Sequence, residues 1–404
     1  MSTSLLYHGF KIYGYKYINT KYGDGRITFH VQAKPELYCC SNCGSREIIK
    51  HGIALRTFRL IPIGSESVFL EAAIPRVECR KCGVIRQVKI GFADARHSYT
   101  HSFERYALDL SRRTTIQDVA RHLGISWDVI KDIQSRYLKR RFSKPRLKKL
   151  RLIAIDEIAV AKGHRYLTIV LDLETGAVIF VGSGKEAASL EPFWARLLRS
   201  GAKIEAVAMD MSKAYISAVS EHLPGAQIVF DRFHIVKLYN DRLSEFRSDL
   251  YREAEDVLKK QVLKGTKWLL LKNPENLDGK RKERERLDEA LSLNRSLAVA
   301  YYMKEDLRQI WERKDKSSAE KFLEDWAARA SASGIQFLQK LAKTLLGYRS
   351  GVLAWYDYPI STGPLEGVNN KINTMKRQSY GFRDMAFFKL KILGLHETKY
   401  ALVG

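Results

Sequence analysis

Two aspartates and one glutamate carry the chemistry that this sequence is equipped to do. Asp156 follows the unbroken apolar run Leu152-Ile153-Ala154-Ile155. Asp210 closes a second run, IEAVAMD. A short apolar run without alternation reads as a strand buried on both faces. A carboxylate where such a run ends is costly to bury without a partner or a metal. A lone Asp there is most simply a turn residue, and the recurrence of the pattern argues against that for this pair. Glu366 is the third acid, in STGPLEGVNNKINTMKRQSYGF, residues 361–382. Pro364 suits the first position of a helix and Gly363 its cap. Leu365, Val368, Ile372 and Met375 then form the buried face, and Glu366, Asn370, Asn373 and Arg377 the other. A carboxylate followed by amide and basic groups suits a metal beside a phosphodiester. Gly363 has no side chain to complete a capping box, which weakens the alternative that Glu366 is only a cap. Glu157, Asp172 and Asp231 are rival acids at strand ends or turns, where acids are often structural.

A second constellation is made of thiols. Cys40-Ser-Asn-Cys43 and Cys79-Arg-Lys-Cys82 are each followed by glycine, Gly44 and Gly83. Two residues between thiolates let both sulfurs reach one ion, and two such knuckles complete a four-cysteine zinc site, Cys40, Cys43, Cys79 and Cys82. The alternative is a set of unrelated free thiols. Cys39 is left over; it can stand in for Cys40, but only Cys40 has the spacing.

The elements that must position these groups follow from periodicity. Residues 1–98 are rich in β-branched and aromatic residues, and RTFRLIPI and SVFLEAAIPRVE read as strands that bring the knuckles together. Residues 99–150 turn helical. In TTIQDVARHLGISWDVIKDIQSRYL, Ile116, Val119, Ala120 and Leu123 form an apolar stripe, Gly124 a turn, Ile125 an apolar plug and Ser126 a cap. Val129, Ile130 and Ile133 point inward. That is a helix-turn-helix whose outer face, Trp127, Asp128, Lys131 and Gln134, meets a major groove. An ordinary helical hairpin is the plainer alternative. The basic flank KRRFSKPRLKKLR, residues 139–151, reads as a solvated linker that contacts phosphate.

From 151 to 239 the order is three strands, helix, strand, helix, strand, then a long helix opened by Phe233-His234. That is the order of a ribonuclease-H-like core, in which the first and fourth strands are neighbours. Asp156 and Asp210 then lie side by side, and two carboxylates forced together repel unless a divalent cation sits between them. His234 lies past the fifth strand, where it either orients a phosphate or caps the helix. Residues 240–358 read as an all-helical insertion with Trp268, Trp311 and Trp326, and 359–404 as the second part of the core. The predicted fold class is thus α/β multidomain: a zinc-binding β domain, a helix-turn-helix and a catalytic core interrupted by helices.

Composition bounds the partner. The 404 residues hold 69 Lys+Arg against 45 Asp+Glu, a formal net charge of +24, and the isoelectric point is near 9.7. Such an excess favours nucleic acid. No stretch approaches the roughly 20 apolar residues of a membrane span, so no membrane role is expected. The N-terminus lacks the apolar segment of a signal peptide, and a cytoplasmic location is expected. Five cysteines in a reducing compartment argue for metal rather than disulfides.

Taken together, the two CxxC knuckles, the helix-turn-helix, AIDE, MDMSKAY, FDRFHIVK, STGPLEGVNNKIN and KRQSYGF resemble the ISL-three family of bacterial insertion-sequence transposases, over nearly the full length. The resemblance implies a DDE transposase whose triad falls on Asp156, Asp210 and Glu366. It also implies recognition of terminal inverted repeats by the N-terminal modules. Two magnesium or manganese ions on the triad then serve cleavage and strand transfer. Lys371, Lys376 and Arg377 are expected to hold double-stranded DNA near the cut, with His234 and Asp231 in support, and the protein to act as a homodimer or larger assembly on the nucleoid. The alternatives are a transposase-derived regulator without catalysis and a nuclease without strand transfer.

Overall fold

Alternation along Ser67–Cys79 (β4) buries Val68, Leu70, Ala72 and Ile74 on one face. That strand is the spine of the N-terminal sheet. In this computed structural model, which describes residues 4–161, 165–254 and 262–396, the sheet order is β1-β2-β4-β3, with β5 also on β4. Its members are β1 Tyr15–Gly23, β2 Arg26–Ala33, β3 Ile48–Arg59 and β5 Ile85–Gln87. Phe58, Leu60 and Phe92 close the core on the buried face. Each such side chain is worth about 1.5–3 kcal/mol when removed from water.

Three helices follow, α1 His101–Leu110, α2 Ile116–Leu123 and α3 Trp127–Phe142. Thr100, Thr115 and Ser126 cap them through their side chains. Gly124 ends α2 in the left-handed region at φ +60°, which a side chain would strain. Val119, Leu123, Ile130 and Ile133 share one core with Phe103, as the apolar stripe predicts.

The second sheet has the order β10-β9-β6-β7-β8. Its strands are β6 Leu152–Ala161, β7 Arg165–Asp172, β8 Val178–Ser183, β9 Ala206–Met209 and β10 Gln227–Phe230. β6, β7 and β8 form an antiparallel meander. β9 joins β6 in parallel and β10 joins β9 in parallel. The crossovers are α4 Glu191–Ser200 and α5 Lys213–His222. α4 buries Phe193, Trp194 and Leu197, the face read from the sequence. The long helix α6, Arg232–Glu253, leads into further helices up to Leu353. Trp326 is fully buried there and donates its indole N–H to the Met303 carbonyl, while Trp268 is exposed. The penultimate helix, α7 here, is Gly363–Gln378, and α8 is Met385–Leu393.

The chain forms two compact units. One holds the chain up to Lys144 and again from Lys371; the other runs Pro145–Asn370. The division between the units therefore falls inside α7, and the segment from Lys371 on groups with the N-terminal modules. The reason is packing. Phe387 of α8 sits in an apolar cluster with Leu138 and Phe142 of α3, so the end of the chain belongs with the three-helix module. The basic linker also differs from its expectation. Leu147 and Leu150 are buried in the core of the second unit, because a basic segment can keep its charges in water while its leucines turn inward.

Candidate functional site

The thiol site is built by the ends of two paired strands. Cys79 is the last residue of β4 and pairs with Ile48 at the start of β3, just after the first knuckle. Gly44 and Gly83 take positive φ, +76° and +68°, which lets each knuckle turn back. Their N–H groups donate to the carbonyls of Cys40 and Cys79. Cys40 Sγ lies 3.6 Å from Cys82 Sγ, and Cys43 Sγ 3.5 Å from Cys79 Sγ. All four sulfurs fall within 4.8 Å of one another. A tetrahedron with zinc–sulfur bonds near 2.3 Å has edges of about 3.8 Å, so the set fits one structural zinc ion. The N–H groups of Cys43 and Asn42 hold the Cys40 thiol down to about 6, and that of Val84 lowers Cys82. Cys39 stands outside the quartet.

The acidic site lies where β9 stops. β6 and β9 pair in register from Leu152–Ala206 to Ala154–Ala208, and the same register carried on sets Asp156 beside Asp210. β6 itself does not end at Asp156. It continues to Ala161, pairing Asp156 with Ile169 of β7. The parallel neighbour is what ends there, and this leaves Asp156 open on one side. Its Oδ1 accepts from the Glu157 N–H at 2.8 Å, and its Oδ2 from the Asn369 side-chain amide at 2.9 Å. Asp210 Oδ1 accepts from the Ser212 N–H at 3.0 Å.

Glu366 stands one helical turn before Asn369 on α7, so the two share a face. One turn earlier still, Thr362 donates its backbone N–H and its hydroxyl to Asp231 Oδ2. The other oxygen of Asp231 caps α6 through the Phe233 N–H at 2.7 Å. Glu366 is thus bracketed by two tethers of α7 to the sheet, at Asp231 and at Asp156. The expected buried face of α7 is present: Leu365, Val368, Ile372 and Met375 are all buried.

Burial raises the Asp156 carboxyl above its usual range. The Glu157 N–H and nearby His234 oppose the rise, and Asp210 adds to it. Burial likewise raises Glu157, with Asp210 and Asp156 contributing. The three acids Asp156, Asp210 and Glu366 are not drawn within 4.8 Å of one another; among the described residues the cysteine quartet is the one such set. Asp172 is a turn residue, accepting from the Glu174 N–H and the Thr175 hydroxyl. His234 lies in the first turn of α6. Asn369 was not picked out by periodicity, which follows i, i+4 lines from Glu366 to Asn370; the i, i+3 partner makes the contact.

Three family descriptions match this chain. One, "Transposase", covers residues 153–392, more than half of the chain. A helix-turn-helix domain of transposase family ISL3 covers 88–138, and a zinc-finger of transposase IS204/IS1001/IS1096/IS1165 covers 36–82. The chain belongs to the ISL3 family of transposases. A relative, the transposase for insertion sequence element IS1001 of Bordetella parapertussis, is 32% identical over 95% of both chains. The transposase for insertion sequence element IS1557 of Mycobacterium tuberculosis is 28% identical over 95% of this chain and 91% of its own. A solved structure, the Drosophila P element transposase strand transfer complex, covers 74% of this chain and 92% of its own at 12% identity. Its TM-score is 0.40.

The helix-turn-helix of this ISL3 transposase corrects part of the expected DNA-contacting face. Gln134 is fully buried, with neither amide atom paired, and does not reach a groove. The helical period turns it toward the side that α8 covers. Lys131 forms an ion pair with Asp384 at 2.9 Å and lies over the Phe387 ring. It is held by the end of the chain, and its side chain is 31% exposed. Trp127 is exposed, as expected. Lys371 and Arg377 are exposed along α7, whereas Lys376 is half-buried and its ammonium is lowered by burial and then by Arg377. Among the described residues, no helix is long and apolar enough to cross a membrane.

Proposed function

We propose that this transposase binds the terminal inverted repeats of its element, cuts there, and joins the freed ends to target DNA. Asp156, Asp210 and Glu366 hold two divalent ions, magnesium or manganese. Their carboxylate oxygens are the hard donors such ions take. Bound there, such ions would lower the pKa of an attacking water and offset charge on the reacting phosphate. The core that carries the acids is read as ribonuclease-H-like, with the helices after α6 as an insertion within it.

The residues do the rest by position. Water attacks phosphorus in line and the bond to the 3′ oxygen breaks, leaving a 3′-hydroxyl. That hydroxyl then attacks a target phosphorus in line, joining the element end to it as the target's own 3′ oxygen leaves. Lys371, Lys376 and Arg377 lie one to three turns beyond Glu366 and hold the backbone near the cut. His234 orients a phosphate. Trp127 contacts the repeat, and a homodimer or larger assembly brings two ends together. The protein would work in the bacterial cytoplasm, on the nucleoid.

The observation that carries this reading is the Asn369–Asp156 hydrogen bond. It brings the helix of Glu366 to the strand edge where Asp156 and Asp210 meet. The test is cleavage and joining of a labelled terminal-repeat duplex by Asp156→Asn, Asp210→Asn and Glu366→Gln. Each should keep end binding and lose several kcal/mol of transition-state stabilisation, about a thousandfold in rate. If Glu366→Gln cuts like the parent, the third acid is wrongly assigned. End binding by the parent without cleavage would make it a regulator, and cleavage without joining a nuclease.

A further inference from the structure

The acidic site contains one polar group beyond its acids. The side chain of Asn369 donates from Nδ2 to Asp156 Oδ2 at 2.9 Å. Its own Oδ1 is buried and meets no donor. The orientation is fixed by charge: turned over, Oδ1 would face a carboxylate oxygen, and two acceptors repel. The amide is therefore locked with its carbonyl oxygen unsatisfied, beside Asp156 and one turn from Glu366. A buried acceptor left unpaired is costly, and such groups gather where a ligand completes them. Partners of this kind fix the orientation of carboxylates that ligate metal. A peg that only joined α7 to the sheet needs the Nδ2 contact alone. It gives no reason for the buried, unpartnered oxygen.

We propose that Asn369 is a positioning residue of the acidic site: it fixes Asp156 for a divalent cation and offers Oδ1 to that cation's hydration water. This rests on the three-acid reading above. The test uses the full chain and manganese alone, titrated calorimetrically without DNA. Asn369→Ala should weaken manganese binding about 10–100-fold, as loss of an orienting partner does. Asn369→Leu, which keeps the volume and removes both polar atoms, should do the same and stands in if the alanine variant does not fold. In an Asp156→Asn background, Asn369→Ala should change affinity no further. In cleavage, the magnesium concentration for half-maximal rate should rise more than the maximal rate falls. A purely structural role would lower the melting temperature and leave manganese affinity within twofold of the parent, and that result overturns the proposal. Parent-like manganese binding by Asp156→Asn would instead overturn the three-acid reading, and this proposal with it.

Discussion

Asp231 uses both carboxylate oxygens inside the protein, one for the start of α6 and one for Thr362. It is buried, and level with Asp210 at the same sheet edge. Position alone made it a rival for the triad; its hydrogen bonds make it a clamp on the first turn of α7. Asp231→Ala should therefore leave buried N–H groups unpaired and cost about 1–3 kcal/mol, measured by denaturant unfolding. Asp156 behaves differently. Its carboxyl is raised by burial, so the folded state holds its proton at a pH where the unfolded chain has lost it. The sign follows: this group's contribution to stability falls as pH rises through the window above the ordinary aspartate value. Asp156→Asn removes that loss. With divalent ions chelated, the variant should be more stable than the parent at neutral pH, and the gap should narrow on acidification. A parent that gains stability relative to the variant between pH 4 and 7 contradicts this.

The elements divide into those a local pattern determines and those it does not. The stripe of Val119, Ala120 and Leu123, the glycine at 124 and the cap at Ser126 lie within a dozen residues, and the helix-turn-helix was legible from them. The parallel neighbourhood of β6 and β9 was legible from strand order. What α8 covers was not. Its sequence is apolar nearly all round, and nothing in its period says that Leu138 and Phe142 are its partners. Gln134 is buried, and Lys131, still partly exposed, is paired with Asp384, because the end of the chain lies on that side of α3. The outward face of α3 was inferred for a free-standing module, and α8 occupies part of it. The same distinction explains Asn369: spacing allows either Asn369 or Asn370 to face the sheet, and only the docked helix chooses. The zinc knuckles are local in type but long-range in closure, through β3 and β4. Cys79→Ser should abolish the single zinc expected per chain and destabilise the β3–β4 end, read by metal analysis and by loss of β signal. Full metal content in that variant contradicts the four-thiol site.

At the scale of the molecule, the chain crosses from one unit to the other within α7, between the carboxylate of Glu366 and the cations from Lys371 onward. The zinc sheet, the helix-turn-helix and the end of the chain then fold as one body whose parts are nearly four hundred residues apart in sequence. That organisation predicts how the protein fails when cut. A fragment of residues 1–144 loses the cover that Phe387 gives to Leu138 and Phe142, and the ion pair of Lys131 with Asp384. A buried Phe is worth about 1.5–3 kcal/mol, and a partly exposed ion pair at most about 1 kcal/mol. The apolar contact should dominate. The fragment should melt lower alone, or with a peptide lacking α8, than with a peptide spanning residues 379–396. A Phe387→Ala peptide should lose most of that rescue, and an Asp384→Asn peptide only a minor part, since it keeps the ring. Thermal unfolding of the zinc-loaded fragment against peptide concentration reads all three. Equal melting with and without the 379–396 peptide would mean that the N-terminal unit is complete without the end of the chain.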